Sequence, residues 1–279
     1  MSVGAADIDD IAALVAAEVP AAAAGTEQRG DEVVFWVDEA EAPAALDQAR
    51  DAVTRWAAGG AAVDPTRVRI AAAMPEAEWR DAWKRYFKVS RLTRQIVVVP
   101  SWEPYEAEAG DVVIDLDPGM AFGTGTHAST RLVLEQLQAL SDAGVRPARV
   151  LDVGCGSGIL AIAAVKLWPG ATCLAIDNDP IAIAATAENA AHNRVGEQIE
   201  TSLPRELSEK FPIVLANIQA HVLRELREWL IAHCSGTLVL SGLLTPQAEP
   251  LAAEFVGMRV VTIRPSSDDP QWSVAVLSV

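Results

Sequence analysis

Arg149-Val150-Leu151-Asp152-Val153-Gly154-Cys155-Gly156-Ser157-Gly158 runs from an apolar stretch into three closely spaced glycines, and an alanine-rich helical pattern, Ile159 to Leu167, follows at once. A strand, a tight turn and a helix start are read from it. Glycine at 154, 156 and 158 admits positive φ and lets the backbone approach a ligand with no Cβ in the way. The helix N-terminus just beyond offers free N–H groups and a partial positive charge. Any nucleotide-binding strand–turn–helix has these properties, so the spacing has to decide further.

A dinucleotide fingerprint needs G-x-G-x-x-G. Here the pattern is G-x-G-x-G, and Ile159 stands where the third glycine belongs. Asp152 precedes the first glycine and is expected to face the ligand crevice. A carboxylate there repels a pyrophosphate and suits a cationic group, such as the amine or sulfonium of S-adenosylmethionine. Asp177 follows Gly154 by 23 residues, at the end of the apolar run Thr172 to Ile176. An acid at that place accepts hydrogen bonds from ribose hydroxyls. The alternative is a tight turn plus an exposed acid; the constellation favours an adenosylmethionine site.

Downstream, strand and helix patterns alternate. Strands are expected at 172–177, 213–217, 237–241, 259–264 and 272–277, with helices at 180–191, 220–234 and 246–255. Pro180 and Pro246 open helices, where the missing N–H costs nothing. Alternation of this kind predicts a doubly wound, mostly parallel α/β sheet covered on both faces. Only Pro265 to Gln271 separates the last two strands, so they pair as an antiparallel hairpin. Asn217 closes the run Ile213-Val214-Leu215-Ala216 at the sheet edge shared with Gly154 and Asp177. Its carboxamide accepts from an amine without adding charge; the competing role is a helix N-cap.

Upstream, a strand at Asp111 to Leu116 leads into Asp117-Pro118-Gly119-Met120-Ala121-Phe122-Gly123-Thr124-Gly125-Thr126-His127, then a helix from about Ala128 to Leu140. So much turn chemistry suggests a loop folded over a ligand. Thr130 lies in the first turn of that helix, within reach of a bound carboxylate. His127 reads either as a base or as a loop brace. Residues 76–95 are read as a helical linker, from the aromatics Trp79, Trp83, Tyr86 and Phe87 and the basic cluster Arg80 to Arg94. Such interleaving also occurs at nucleic-acid contacts, but aromatics more often bury while Lys and Arg stay in water. A strand at Ile96 to Val99 follows.

Residues 1–75 read as a small α/β domain. It has helices at Ile8 to Val19 and Glu41 to Ala57, and strands at Glu32 to Asp38 and Arg67 to Ala72. It carries 13 acidic against 5 basic side chains, a face for a basic partner or simply a solvated surface. Residues 96–279 form the cofactor-binding domain.

The chain's 279 residues suffice for two domains, and 51% hydrophobic composition marks a globular chain. Its net charge of −16 disfavours nucleic-acid phosphates, DNA included, and favours a basic protein. No apolar run reaches membrane-spanning length. Asp7, Asp9 and Asp10 stand where an export signal carries positive charge. Cys155, Cys173 and Cys234, without C-x-x-C spacing, read as reduced thiols of a cytoplasmic protein, with no metal site expected. A monomer is expected.

The stretches Asp117 to His127 (DPGMAFGTGTH), Leu151 to Leu160 (LDVGCGSGIL), Asp177-Asn178-Asp179-Pro180 and Ala216-Asn217-Ile218-Gln219-Ala220 resemble the methyltransferase of large-subunit ribosomal protein L-eleven, a class I family. Trp79 to Lys88 and Pro100-Ser101-Trp102 resemble that family's linker and first strands. The resemblance covers 79–279. It implies a seven-stranded methyltransferase sheet and S-adenosyl-L-methionine as donor. It also implies trimethylation of lysine side chains and of an N-terminal amine on the basic ribosomal substrate. Cofactor contacts carry over to Thr130, Gly154, Asp177 and Asn217, and the neighbouring motif residues Phe122, Gly123, Thr124, Asp152, Gly156, Gly158 and Asn178 are expected to join them. Where the family loop continues H-P-T-T, this chain has His127-Ala128-Ser129-Thr130; where it has N-I-L-A, Gln219 replaces the leucine. The family's substrate-recognition domain is ferredoxin-like; here no first strand is read before Ile8, as in a truncated version.

A lysine ammonium cannot attack the donor, and its deprotonation at pH 7 costs roughly 4.6 kcal/mol from a reference value of about 10.4. A low-dielectric pocket lowers that cost. The expected mechanism therefore has no dedicated strong base: Asn217 orients the neutral amine, and His127 is the fallback base. The rivals are a class I methyltransferase acting on another protein's lysine or on a small molecule, an NAD-dependent oxidoreductase, which the missing third glycine disfavours, and a module that only binds adenosylmethionine.

Overall fold

The computed structural model describes residues 11, 14–15, 19–22, 26–29, 32–38, 40–59, 61, 63–70, 88–117 and 127–279. The chain divides into two compact units, Met1–Arg80 and Asp81–Val279. The boundary falls within 71–87, so the expected linker helix lies outside the described residues.

In the first unit, β1 (Glu27–Arg29) pairs antiparallel with β2 (Glu32–Val34), with Arg29 opposite Glu32. Helix α1 (Ala42–Ala58) carries Pro43 in its first turn and is capped by Gly59. Its Ala45, Ala49, Ala52, Val53 and Trp56 are buried, and all but Ala45 pack with Val33, Val15, Val19 and Val68. Two expectations need correction. The strand expected at 32–38 stops at Val34, and β1 (Glu-Gln-Arg) was not read because it has no apolar residue to signal it. No strand starts at Arg67 either: Pro65–Arg67 is a 3₁₀ turn followed by irregular chain to Ile70. Asp64 accepts from both the N–H and the hydroxyl of Thr66, and Pro65 follows it with φ already suited to the turn. Local turn chemistry overrides the apolar run there. Of the helix expected at 8–19, Ile11, Leu14 and Val15 are helical and the rest lies outside the described residues.

The second unit opens with a three-stranded sheet. In it β3 (Ser90–Arg91) is antiparallel to β4 (Ile96–Val99), which is parallel to β5 (Val112–Asp115). Of residues 88–95, expected to close the linker, Ser90 and Arg91 form a strand of this sheet. Its basic side chains are paired: Lys88 with Glu103, Arg91 with Asp111 and Glu108, Arg94 with Asp142. Arg91 first, then Tyr105, hold the Asp111 carboxyl well below the usual range. These pairings consume positive charge that a nucleic acid would need.

The main layer follows: α2 (Ala128–Asp142), β6 (Arg149–Val153), α3 (Ile159–Leu167), β7 (Thr172–Ile176), α4 (Pro180–His192), β8 (Ile199–Ser202), β9 (Phe211–Asn217), α5 (Ala220–Glu225), α6 (Arg227–His233), β10 (Cys234–Leu244), α7 (Thr245–Glu254), β11 (Arg259–Pro265) and β12 (Trp272–Ser278). Seven strands form one sheet in the order β11-β12-β10-β9-β6-β7-β8. The pairs from β10 to β8 are parallel, and β12 is antiparallel to both β10 and β11. This is the expected mostly parallel sheet with a C-terminal hairpin. Its seventh strand is β8, a polar Ile-Glu-Thr-Ser edge that the apolar pattern passes over; β5 sits in the other sheet.

Alternation along each strand builds two cores. Val150 of β6, Cys173 and Ala175 of β7 and Ile213 and Leu215 of β9 join the core with α2 and α3. Leu151 and Val153, Leu174 and Ile176, Val214 and Ala216 join the core with α5, α6 and α7. Side chains two apart share a face, so a parallel sheet must be apolar on both. Consecutive β6 and β7 lie side by side, while β9 flanks β6 on the other side. The order reverses there, which opens a crevice at the carboxyl ends of β6 and β9.

Candidate active site

At that crevice the chain leaves β6 through Gly154 (φ 75°), Gly156 (φ 55°) and Gly158 (φ 81°). The Gly154 and Cys155 N–H groups donate to the Ile176 carbonyl, at 2.8 and 3.1 Å, so the turn is tied to the end of β7. A Cβ on Gly154 would lie 2.3 Å from Ile218 Cγ2, and one on Gly158 2.8 Å from Thr186 Cγ2. Both positions therefore need glycine for packing as well as for φ. Helix α4 braces the turn from below. The Thr186 hydroxyl donates to the Gly156 carbonyl (3.0 Å), and the Asn189 amide donates to the Ser157 carbonyl (2.8 Å).

Asp177 stands half-buried at the end of β7. One carboxylate oxygen accepts from Gly156 N–H and the other from Asp179 N–H, each at 3.0 Å. It thus couples the turn to the start of α4, whose N-cap Asp179 accepts from Ile181 N–H. Asn178 lies exposed between them.

Asp152 is not open to the crevice, contrary to the expectation. It shares the face of Val150, the face covered by α3, and is 0% exposed. Its Oδ2 accepts from Ala161 N–H at 3.2 Å, in the first turn of α3, and its Oδ1 has no partner. Burial, opposed by that N–H and reinforced by the Asp177 charge, pushes its carboxyl up to about 7.

Asn217 ends β9 in register with Ser241 of β10. Its Nδ2 donates to the Thr130 hydroxyl (3.2 Å), while its Oδ1 is buried with no partner. The N-cap of α5 is Gln219, so capping does not occupy Asn217. Thr130 is 1% exposed in the first turn of α2. That turn is pinned to the sheet by the Ser241 hydroxyl, which donates to the Ser129 carbonyl (2.9 Å). Gly242 (φ 77°) comes so close to the Asn217–Gln219 segment that a Cβ would lie 2.6 Å from the Ile218 carbonyl oxygen.

The arrangement is a glycine turn, a strand-end acid and a strand-end carboxamide converging at a topological switch point. The model of the family described as "Ribosomal protein L11 methyltransferase (PrmA)" matches residues 26–278. The chain belongs to this family. It is 42% identical over 217 residues to the ribosomal protein L11 methyltransferase of Geobacter metallireducens, covering 77% of this chain and 70% of that one. Its similarity to the Geobacter sulfurreducens protein of the same name is 42% over 220 residues, 78% of this chain and 71% of that one. A crystal structure of ribosomal protein L11 methylase from Lactobacillus delbrueckii subsp. bulgaricus superposes with a TM-score of 0.58 at 33% identity, covering 69% of this chain and 98% of that one.

In this L11 methyltransferase family member, His127 is the N-cap of α2. Its Nδ1 accepts from Ser129 N–H (3.2 Å) and meets the Ser129 hydroxyl at 2.8 Å, and its ring stands edge-on to Trp272 at 4.5 Å. One ring nitrogen is thus engaged by a backbone N–H and a hydroxyl of the same turn. Phe122, Gly123 and Thr124 lie outside the described residues. Asp117 accepts from the Ser101 N–H and hydroxyl, each at 2.7 Å.

Sequence reasoning missed Thr186, Asn189, Ser241, Gly242 and Trp272. A signal for the first two was present: Thr186, Asn189 and Asn193 form a polar stripe in an alanine-rich helix. Asn193, at the far end, clamps both backbone groups of Asp115, at 2.9 and 2.7 Å. Among the described residues no cluster of His, Cys, Asp or Glu could hold a metal, and no helix is long and apolar enough to cross a membrane.

Proposed function

We propose that this chain binds S-adenosyl-L-methionine at the carboxyl edge between β6 and β9 and methylates amines of ribosomal protein L11. The acceptors are lysine side chains and the N-terminal amine, carried to the trimethyl state. One observation carries the reading: the buried, unpartnered Asn217 Oδ1, an acceptor held rigid by Thr130 and set beside a glycine turn at the switch point. Buried acceptors in native proteins are normally paired. An amine N–H is the partner this one suits.

The residues present fit the cofactor. Gly154, Gly156 and Gly158 let backbone approach it. Asp177 keeps lone pairs for ribose hydroxyls beyond the two N–H groups it already accepts. Asn178 stands next to Asp177 and Thr130 against Asn217, and the family resemblance assigns Phe122, Gly123 and Thr124 to the cofactor as well. When bound, the cofactor supplies a methyl group already activated by its sulfonium. The chain's task is then to orient a neutral amine in line with the S–CH3 bond and exclude water. In the first two methylations Asn217 Oδ1 would accept one amine N–H and leave the nitrogen lone pair free; the neutral dimethylamine of the third has no N–H to offer. Methyl transfer to that nitrogen would release the thioether product, and the amine's surplus proton would leave through water. The half-buried surroundings lower the roughly 4.6 kcal/mol that deprotonating a lysine costs at pH 7. His127, occupied as a cap, acts as a brace. The first unit, with its excess of acids, is assigned to recognition of the basic substrate.

Incubating purified L11 with the protein and the donor, followed by peptide mass spectrometry, tests this. Trimethylated lysine and a trimethylated N-terminus are expected. Labelling of other proteins in a lysate while L11 stays unmodified would overturn the substrate assignment.

A further inference from the structure

Thr186, Asn189 and the C-cap Asn193 recur along the alanine-rich α4 at intervals of three and four residues, which places them on one face. Thr and Asn form helix less readily than alanine, so propensity does not account for them. Their hydrogen bonds do. Thr186, 0% exposed, donates its hydroxyl to the Gly156 carbonyl at 3.0 Å, and the Cys155 sulfur lies 3.2 Å from the same hydroxyl oxygen. The Asn189 amide donates to the Ser157 carbonyl at 2.8 Å. Two successive carbonyls of the glycine turn are thus drawn onto α4. The helix is fixed independently at both ends: Asp179 caps its start, and Asn193 holds the Asp115 N–H and carbonyl at 2.9 and 2.7 Å. A peptide group is planar and trans, so a fixed carbonyl aims the next residue's N–H to the opposite side. The bonds from α4 therefore direct the Ser157 and Gly158 N–H groups away from that helix. Glycine takes positive and negative φ about equally, so the turn's own sequence does not select this arrangement; its surroundings do.

We propose that Thr186 and Asn189 are positioning residues for the methyl donor: by holding the Gly156 and Ser157 carbonyls from the α4 side they preorganise the turn that receives it. They act through the turn backbone and not by contact with the donor. This deepens the methyl-donor reading above and rests on it. A turn already held in its bound shape loses less conformational freedom on binding. Donor and product meet the same backbone, so the brace contributes equally to the affinity of both. It contributes nothing to the methyl-transfer barrier, and its removal raises KM for the donor while kcat stays. Asn217 is the opposite case, since its loss is expected in turnover.

The test compares the full chain with its Thr186→Ser, Thr186→Ala and Asn189→Ala variants. Serine and alanine both drop the Thr186 methyl and differ only in the hydroxyl, so that pair isolates the bond to Gly156. Calorimetric titration with S-adenosylmethionine and with S-adenosylhomocysteine gives affinity, initial rates on L11 at varied donor give KM and kcat, and urea midpoints give stability. Thr186→Ala and Asn189→Ala are each expected to bind both ligands about tenfold more weakly, the order one hydrogen bond contributes. Their kcat at saturating donor should stay within about twofold of wild type, the split expected when only uniform binding is lost. Thr186→Ser should keep donor affinity within about twofold, as its hydroxyl still reaches the carbonyl. Ile213→Val, a truncation of a buried side chain in the amino half of β9, should lower the urea midpoint and leave donor affinity unchanged. Wild-type donor affinity in either alanine variant overturns the proposal and leaves the cofactor reading intact. So does an equal loss in Thr186→Ser and Thr186→Ala, or affinity that falls with stability in Ile213→Val. If Thr186→Ala fails to fold, Asn189→Ala decides alone. A wild-type chain that binds neither ligand removes the cofactor reading as well.

Discussion

The Asn217 carboxamide donates to the Thr130 hydroxyl across 3.2 Å, and its own oxygen lies buried with nothing to accept from. The hydrogen bond fixes which end of the amide is the donor and leaves the oxygen as an unpartnered acceptor. Asn217→Ala is expected to lower turnover about 100-fold, the order lost with one oriented hydrogen-bonding group, while the fold survives. Asn217→Asp should lose at least as much. A negative charge there favours the ammonium form of the acceptor, which cannot attack. Initial rates of S-adenosylhomocysteine formation, set beside donor affinity, check both.

His127 caps α2 through Nδ1, a role Asn fills and Ala does not. His127→Ala should cost about 1 kcal/mol of stability and only a few-fold in turnover. His127→Asn should recover most of both. A pH–rate profile identical in His127→Asn and wild type is expected. Loss of several orders of magnitude in His127→Asn would make the imidazole a true base.

Gly158 combines φ 81° with a neighbour, Thr186 Cγ2, that stands 2.8 Å from the position of an added Cβ. Gly158→Ala should therefore destabilise by about 2–4 kcal/mol, combining left-handed strain with the clash. Measured against Thr186→Ala alone, which also loses the hydroxyl bond to the Gly156 carbonyl, Gly158→Ala should cost less, about 1–2 kcal/mol, because the Cγ2 contact is gone. Urea denaturation of the single and double variants measures the difference.

Asp152 also gives stability a pH dependence of defined sign. Its folded value, about 7, lies above the unfolded carboxylate value. Between those two values the native state binds more protons than the unfolded chain, so the Asp152 contribution to stability falls as pH rises. It is at its best below the unfolded value and fully lost above the folded one. A gap of about three units corresponds to the order of 4 kcal/mol. Asp152→Asn should thus gain on wild type from pH 5 to pH 8, as read from denaturant midpoints.

The three thiols, Cys155, Cys173 and Cys234, are buried, and burial raises all of them. Since the thiolate is the reactive form, none should react with an Ellman-type reagent on the native chain within minutes. All should react after unfolding.

Local patterns determined much of this protein without help. The glycine spacing at 154–158, the alternating strand and helix runs after it and the short link before Trp272 dictate the parallel sheet and its hairpin. Glycine conformation, hydrophobic period and loop length are properties of neighbours in the chain. The same patterns placed Gly154, Asp177 and Asn217 at one edge, because strand ends in such a sheet must align. Tertiary structure alone decided which way each side chain faces. The pleat turned Asp152 under α3 and Asn217 toward Thr130, 87 residues earlier in the chain. It likewise made His127 a cap set against Trp272, and recruited Thr186, Asn189 and Ser241 as braces. These are contacts between residues far apart in sequence, and no periodicity encodes them. Polar edge strands such as β1 and β8 escaped for the converse reason: pairing with a neighbouring strand makes them, and their own sequence carries almost no apolar signal.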